Sequence, residues 1–156
     1  MSTENPDSSP PQSSPVLLVV EDEASPRAEI CRMVRGLGYR VRTARNGREA
    51  LRYLSQHPGE VRVVLADVIM PYMDGGELAE RARDLQPGLR LVLMSERPEG
   101  APGAILAAYP ETPFLQKPFG FAELYAVLAW QVGPPVASGE IRPGRPAFHR
   151  ERDPVT

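Results

Sequence analysis

Cysteine, net charge and long apolar runs are all scarce in this sequence of 156 residues. Cys31 is the only cysteine, so neither an intramolecular disulfide nor a cysteine metal cluster can form, which fits a reducing cytosol. Acidic and basic residues number 20 and 18, so there is no overall basic field of the kind that nucleic-acid binding needs. No apolar run approaches the length of a membrane span, and no secretory signal is recognisable at the N-terminus. We therefore expect a cytoplasmic protein whose partners include neither nucleic acid nor a membrane.

Large apolar residues are also scarce at both ends of the chain. Residues 1–15 are rich in Ser and Pro and have no aliphatic residue after Met1, and residues 133–156 return to Pro, Gly and Arg. Such segments bury too little apolar surface to fold, so both tails are predicted to be disordered. The folded unit is therefore expected to be one domain over residues 16–132.

Between these tails, short apolar runs alternate five times with helical patterns. The central run begins at Val63 and ends at the carboxylate of Asp67. Its residues before Asp67 are all apolar, which is typical of a strand that is buried on both faces. The other runs predict strands at Val16–Val20, Arg40–Ala44, Leu89–Met94 and Phe114–Gln116. Prolines and glycines in the segment 97–110 predict that its helix starts late or is poorly ordered. The alternation predicts an α/β fold with a doubly wound, five-stranded parallel sheet.

Capping residues and helical periodicity indicate where the helices begin and which residues they bury. Ser25 as an N-cap, followed by Pro26, predicts the start of the first helix. The cluster Asp74–Gly76 predicts a loop before the third helix, whose apolar stripe includes Leu85. The last helix is expected to bury a face that begins with Phe121.

Polar side chains follow four of the five predicted strands. They are Glu21 and Asp22 after the first strand, Asp67 at the end of the third, Ser95 after the fourth and Lys117 after the fifth. Because the carboxyl ends of parallel strands meet at one edge of the sheet, we expect these side chains to converge. Three carboxylates repel each other unless a cation joins them, and all-oxygen ligands suit Mg²⁺. A lysine and a hydroxyl suit a phosphoryl group, for which an aspartate can be the nucleophile.

Each of these residues also has an ordinary structural interpretation. The negative charges of residues 21–23 would interact favourably with the N-terminal end of the first helix. A lone aspartate at the end of a strand often only begins a loop. Ser95 alone would be a turn serine, and Lys117 alone would be a solvated surface lysine. It is their occurrence together, each after an apolar strand, that favours a functional site.

Four motifs occur in order along the predicted domain. They are Val-Val-Glu-Asp-Glu at 19–23, Asp-Val-Ile-Met-Pro-Tyr-Met-Asp-Gly at 67–75, Met-Ser at 94–95 and Phe-Leu-Gln-Lys-Pro-Phe at 114–119. In this order and spacing, the chain resembles the receiver domain of bacterial two-component response regulators over essentially all of residues 16–132. The resemblance implies the flavodoxin-like (βα)5 receiver fold with strand order 2-1-3-4-5, and a cis bond between Lys117 and Pro118.

The resemblance implies a role for each matching residue. Asp67 matches the residue that accepts a phosphoryl group from a histidine kinase or a phosphotransfer protein, in a reaction that needs Mg²⁺. Asp22 matches the direct ligand of that ion, and Glu21 matches a residue that acts mostly through water. The backbone carbonyl of Ile69 would complete the protein ligands.

The resemblance also implies how a signal would leave the site. Ser95 and Lys117 match the hydroxyl and the ammonium that contact the phosphoryl group. Phe114 matches an aromatic rotamer switch, although an ordinary core position explains it as well.

Trp130 lies opposite the apolar face of the last helix, where it marks a partner surface or is covered by the C-terminal tail. We expect a stand-alone receiver that signals by altered binding to an unidentified downstream protein, with a homodimer through the 96–132 face as one expected assembly.

Two alternatives remain open at this point. A haloacid-dehalogenase-like phosphatase also uses a strand-end aspartate and Mg²⁺, but that family expects a second aspartate two residues on, where this sequence has Ile69, and a cap domain. A degenerate receiver would act only as an interaction module that is independent of phosphorylation. The presence of Asp67 together with its acidic pair, Ser95 and Lys117 argues against this second alternative.

Overall fold

A computed structural model describes residues 12–133, in which five strands and five helices alternate. The strands are β1 (Val16–Val20), β2 (Arg40–Ala44), β3 (Val61–Asp67), β4 (Arg90–Ser95) and β5 (Phe114–Gln116). The helices are α1 (Ala24–Gly36), α2 (Gly47–Gln56), α3 (Gly75–Leu85), α4 (Gly100–Ala108) and α5 (Phe121–Val132). Within this part of the chain, every helix is too short to span a bilayer. Most of the two predicted tails lies outside the described residues, so the limits of the domain stay a prediction.

The five strands form one parallel sheet in the order β2-β1-β3-β4-β5, which confirms the predicted fold and strand order. Aliphatic residues on both faces of the central strands bury the sheet between two helical layers. One core cluster, which includes Leu18 and Val64, lies beneath α2, α3 and α4. The other, which includes Leu17 and Leu65, lies beneath α1 and α5. This layering leaves the carboxyl ends of the strands at one edge of the domain.

The start of α1 differs from the prediction by two residues. The helix begins at Ala24, and Glu23 is the N-cap, so Ser25 and Pro26 lie inside the first turn. Proline is tolerated there because the first N–H groups of a helix have no intrahelical acceptor. The prediction that Ser25 is the N-cap is therefore wrong, whereas the position of the helix is right.

The glycines before the third helix also belong to the helix and not to a loop. Gly75 is the first residue of α3, and Asp74 is its N-cap. The side chain of Asp74 accepts a hydrogen bond from the backbone N–H of Glu77 at 2.8 Å. This cap fixes the start of the helix in spite of the low helix propensity of the glycines that follow it.

Two apolar residues predicted to be buried are half-exposed. Leu85 is the last residue of α3 and is 51% exposed, and Phe121 is the first residue of α5 and is 53% exposed. Both lie at helix ends, where the helix reaches the rim of the sheet and has fewer residues beneath it. The ring of Phe121 instead lies beside Gly36, because a Cβ atom built on Gly36 would be 3.2 Å from its Cε1.

The prediction that the fourth helix starts late is wrong, because the helix includes Gly100, Pro102 and Gly103, three of the residues that were expected to delay it. Proline is tolerated there because the first N–H groups of a helix have no intrahelical acceptor. α4 begins at Gly100, which has a φ of +65°, and its N-cap residue Glu99 makes no side-chain capping hydrogen bond. Leu106 is the one residue of α4 that is fully buried. The helix is thus held to the domain by few apolar contacts, which makes it a candidate for local rearrangement.

Candidate functional site

Asp67, Ser95 and Lys117 lie together because the strands that carry them end at the same edge of the sheet. Asp67 is the last residue of β3, Ser95 is the last residue of β4, and Lys117 follows β5. The backbone N–H of Lys117 donates to the carbonyl of Ser95 at 2.9 Å, and the N–H of Val68 donates to the carbonyl of Met94 at 2.8 Å. The predicted site residues therefore share one cavity of about 360 Å³, which is also lined by Glu21, Asp22 and Ile69.

The ammonium group of Lys117 lies between two carboxylates. Its Nζ donates to Oε2 of Glu21 at 2.9 Å and to Oδ2 of Asp67 at 3.2 Å. Glu21 is 2% exposed, and the side chains of Lys117 and Asp67 are mostly buried. Charge-assisted hydrogen bonds in such a position are stronger than surface ion pairs, so they hold Lys117 beside Asp67. The bond between Lys117 and Pro118 is cis, as the resemblance implies.

Burial and pairing shift two pKa values in the site. Burial raises the pKa of the Glu21 carboxyl above its ordinary value, and the hydrogen bond from Lys117 offsets this only in part. Burial by itself lowers the pKa of Lys117, but the hydrogen bond to Glu21 and the charge of Asp67 outweigh it and raise the pKa. Lys117 is therefore charged at neutral pH and supplies a fixed positive charge next to Asp67.

Three acidic residues of the site can offer ligands to a single cation. Glu21, Asp22 and Asp67 each have a carboxylate oxygen, and these oxygens lie within 4.8 Å of one another. Glu21 is buried and Asp22 is exposed, so the group is anchored on one side and open to water on the other. Ile69 lines the same cavity. Oxygen ligands that leave room for several waters are what Mg²⁺ prefers, so the residues present fit this ion.

The hydroxyl of Ser95 is engaged by the loop that follows β4. Its Oγ donates to the carbonyl of Arg97 at 2.9 Å and accepts a hydrogen bond from the backbone N–H of the same residue at 3.2 Å. Ser95 nevertheless lines the cavity with Asp67 and Lys117. A group bound in the cavity can therefore compete with the loop for this hydroxyl.

The two other residues singled out from the sequence do not line the cavity. Phe114 is buried beneath α2, α3 and α4, in the same core cluster as Leu106 of α4. Trp130 is half-exposed on α5, away from the buried Leu124 and Leu128, as predicted from the helical spacing. Phe114 therefore connects β5 to α4, and Trp130 belongs to an outer surface.

Three residues of the site carry no motif signal. Arg97 and Pro102 line the cavity from the segment after β4, whose path has no periodicity to predict it. Arg27 of α1 stabilises the loop between β1 and α1, because its Nη1 donates a hydrogen bond to the carbonyl of Glu21 at 2.9 Å. One compositional signal does point to the site: Lys117 is the only lysine among the 18 Lys and Arg residues of the chain.

Known proteins similar to this chain include a sensor kinase and a response regulator receiver protein. Sensor kinase CckA of Brucella abortus (strain 2308) is 37% identical over 111 residues, which are 71% of this chain and 12% of CckA. The response regulator receiver protein CpdR of the same strain is 31% identical over 108 residues, which are 69% of this chain and 88% of CpdR. The chain thus spans a small part of the first relative and most of the second.

The fold and the family are identified by two further comparisons. The receiver domain of the sensor histidine kinase PA1611 from Pseudomonas aeruginosa PAO1, which has a magnesium ion coordinated in its active site cleft, is 25% identical with a TM-score of 0.70. The match covers 78% of this chain and 99% of that structure. The family model described as the response regulator receiver domain matches residues 17–129. On this match, and with the strand order and site geometry described above, the chain belongs to the response regulator receiver domain family.

Proposed function

We propose that Asp67 accepts a phosphoryl group from a histidine kinase or a phosphotransfer protein. The observation that carries this proposal is the position of Asp67 at the end of β3, with Nζ of Lys117 3.2 Å from its Oδ2. A carboxylate that faces a cavity beside a fixed ammonium group is suited to attack phosphorus, because the ammonium offsets the charge of the incoming group. The similarity to a sensor kinase supports a partner of this class.

The proposed reaction exchanges one bond at phosphorus. A carboxylate oxygen of Asp67 attacks phosphorus, the P–N bond to the phosphohistidine breaks, and its electron pair stays on the imidazole nitrogen. Lys117 pairs with one phosphoryl oxygen, at the place where it now contacts Asp67. Ser95 donates a hydrogen bond from its hydroxyl group to another phosphoryl oxygen, in place of the one it now donates to the carbonyl of Arg97.

In this proposal Mg²⁺ would be held by Asp22, Asp67 and the backbone carbonyl of Ile69, with Glu21 acting mostly through water. When bound there, Mg²⁺ supplies positive charge that neutralises the carboxylates and the phosphoryl oxygens. The proposal is supported by the short separation of the three carboxylates and by the magnesium ion in the receiver domain of PA1611.

Phosphorylation of Asp67 can be tested by intact mass after incubation with acetyl phosphate and Mg²⁺. The wild-type chain is expected to gain one phosphoryl group, and Asp67→Asn is expected to gain none, because the amide is not a nucleophile toward phosphorus. Asp84→Asn is the matched control, since Asp84 is an exposed aspartate of α3 and its replacement changes the net charge equally. If Asp67→Asn is modified as fully as the wild type, the assignment of the acceptor is wrong. If the wild type gains no phosphoryl group and its amide resonances do not respond to beryllofluoride, the chain is an interaction module that does not use phosphorylation.

Mg²⁺ is expected to raise the melting temperature of the protein, because it binds the folded site and offsets carboxylate repulsion. At a concentration one hundred times the dissociation constant, this linkage adds about 2.7 kcal/mol. Thermal melts with Mg²⁺ and with EDTA measure the effect. The double variant Asp22→Asn/Asp67→Asn should lose most of the response, and Asp74→Asn/Asp84→Asn is a charge-matched control. An undiminished response in the first variant would place the ion elsewhere.

Receiver domains are mainly signalling modules and not classical enzymes. We propose that this chain acts in the same way in the cytoplasm, assisting only its own phosphorylation and dephosphorylation. A phosphatase of the haloacid-dehalogenase type has no support, since Ile69 occupies the position of its second aspartate. The downstream partner is proposed to be another protein.

The face formed by residues 96–132 is proposed as the surface that changes on phosphorylation and binds the partner or a second copy of the chain. If Ser95 turns from Arg97 toward the phosphoryl group, the loop after β4 loses two hydrogen bonds. That loop leads into α4, where Leu106 is the one fully buried residue and shares a core cluster with Phe114. A small bias at Ser95 can therefore reorder α4. Trp130 of α5 is half-exposed and falls within the residue range proposed for this surface.

Hydrogen exchange with and without beryllofluoride tests this route. We expect changed protection in residues 96–110 and around Phe114, because this segment has few apolar contacts to hold it. The amides of α2 should be unchanged, because this helix follows β2, which is the edge strand farthest from β5. Asp67→Asn treated with the same reagent is the control and should show no change. Changes restricted to Asp67 and the loop after it would contradict the proposed surface.

A further inference from the structure

Three arginines gather at the opposite edge of the sheet, where the strands begin. Arg40 is the first residue of β2, Arg62 is the second residue of β3, and Arg90 is the first residue of β4. All three line one cavity of about 530 Å³, which lies within the size range of small-molecule sites. This edge is remote from Asp67, which lies at the other end of β3. The proposed phosphoryl-transfer site therefore does not explain the cluster.

The position of Arg62 is set by an irregularity in the sheet. Val16 of β1 pairs with Val61 of β3, but the next residue, Leu17, pairs with Val63, so the register skips Arg62. An extra residue of this kind is left out of the ladder, and its side chain is redirected. The bulge thus allows Arg62 to reach the cavity that Arg40 and Arg90 also line.

The positive charge in this cavity is poorly compensated. Within residues 12–133, no carboxylate forms an ion pair with Arg62 or Arg90. Arg40 donates to the carbonyl of Ser14 at 3.0 Å and to Oε1 of Gln12 at 3.2 Å, and both acceptors are uncharged. Three guanidinium groups around one cavity without carboxylate partners favour an anionic occupant.

The acidic residue in the lining of the cavity is already engaged. Glu60 accepts a hydrogen bond from the hydroxyl of Tyr53 at 2.7 Å, and its other carboxylate oxygen lies 3.6 Å from Nη2 of Arg42. Arg42 belongs to β2 and does not line the cavity, so the carboxylate of Glu60 is paired with a cation outside it. Glu60 therefore does not neutralise the three arginines.

We propose that this cavity is a second binding site, which takes a small molecule with a diphosphate or triphosphate group through Arg40, Arg62 and Arg90. The guanidinium fork matches phosphate oxygens in bidentate geometry, and the volume exceeds what a lone phosphate would fill. The C-terminal end of the chain is a poor occupant by charge, because residues 134–156 have four arginines against three acidic residues. Residues 1–11 have two carboxylates, Glu4 and Asp7, on separate side chains, whereas a diphosphate or triphosphate places several charged oxygens within reach of all three arginines.

Isothermal titration of the full chain with pyrophosphate and with ATP, both in EDTA, tests the proposal. EDTA removes Mg²⁺ and so excludes phosphate binding through an ion at Asp67. The wild type is expected to bind one equivalent. Arg62→Gln/Arg90→Gln should bind at least about tenfold more weakly, and Arg32→Gln/Arg52→Gln, which removes two exposed arginines elsewhere, should match the wild type.

A second variant keeps the test decisive if the arginine variant is unstable. Gly88 lines the cavity, and a Cβ atom built on it meets no atom within 4 Å. Gly88→Glu should therefore fold, place a carboxylate among the arginines and weaken binding, whereas Gly88→Ala should bind as the wild type does. Absence of saturable binding to either probe, equal binding by Gly88→Glu, or equal weakening in the control pair would overturn the proposal. Sulfate binding as tight as that of pyrophosphate would also overturn it, since the cavity would then be a general anion site.

Discussion

Replacing Lys117 with methionine is expected to slow phosphorylation of Asp67 by at least about a hundredfold, which is the usual effect of removing one preorganised charge from a transferring group. The ammonium of Lys117 lies 3.2 Å from Oδ2 of Asp67, so it is placed to contact the phosphoryl group that Asp67 would accept. Methionine keeps much of the length of the side chain without its charge. The measurement is the initial rate of phosphorylation by acetyl phosphate, followed by intact mass.

The same substitution is expected to destabilise the folded protein. It leaves Glu21 and Asp67 without the cation that joins them, and removing one partner of a buried pair costs about 3 kcal/mol. The raised pKa of Lys117 means that its stabilisation is fully present below its ordinary pKa of 10.5 and is lost as the pH rises through the higher folded value. The deficit of the variant should also shrink in acid, where Glu21 takes up a proton. Urea unfolding at several pH values measures both trends.

Two companion variants separate charge from shape at Lys117. Lys117→Arg keeps the positive charge and should retain more of the rate and of the stability than Lys117→Met. Glu21→Gln added to Lys117→Met should recover part of the lost stability, because it removes the buried carboxylate that has lost its partner. Equal rates for the wild type and Lys117→Met would show that the ammonium takes no part in the transfer.

Replacing Gly75 with valine is expected to be the most disruptive of the substitutions at the edge of the site. A Cβ atom on Gly75 would lie 2.6 Å from the backbone carbonyl oxygen of Asp67 and 2.8 Å from Cδ2 of Leu93. A backbone atom cannot move aside as a side chain can, so β3 and α3 must separate, at a cost of about 3 kcal/mol. The gain in helix propensity over glycine is less than about 1 kcal/mol and does not compensate. Chemical denaturation measures the net effect.

The Gly75 substitution should also affect phosphorylation, because the displaced carbonyl belongs to Asp67 itself. Gly88→Ala is the control, since a Cβ atom there meets nothing within 4 Å and the change in the free energy of unfolding should stay within about 0.5 kcal/mol. A stability of Gly75→Val equal to that of the wild type would mean that the contact between α3 and the end of β3 is looser than the geometry indicates.

The sheet and its carboxyl edge were predictable from the sequence for a physical reason. Buried parallel strands are continuous apolar runs, so the residue where each run stops is visible, as at Asp67 and Ser95. Since parallel strands end on one side, the convergence of Glu21, Asp67 and Lys117 follows from the order of elements alone. The distances and the direction of the Ser95 hydroxyl do not, because they depend on loops without periodicity.

The errors in the sequence predictions lie at the ends of helices. Periodicity places Leu85 and Phe121 on apolar stripes, but a stripe does not indicate where the sheet beneath it ends. The N-cap of α1 was misplaced because Ser25 has a stronger capping preference than Glu23, and the path of the loop after β1 overrides that preference. Arg62 escaped notice for a similar reason, since a bulge leaves no mark in an apolar pattern.

The absence of any lysine other than Lys117 gives this receiver a built-in spectroscopic reporter. Apart from the α-amino group, the chain has one primary amine, and it lies 3.2 Å from the carboxylate that is proposed to change. Expression with lysine that is ¹³C-labelled at Cε would add the resonance of a single side-chain methylene, next to the ammonium, and would leave both hydrogen bonds of Lys117 intact. The state of the acceptor could then be followed in unfractionated mixtures with a kinase, without isotopic enrichment of the backbone.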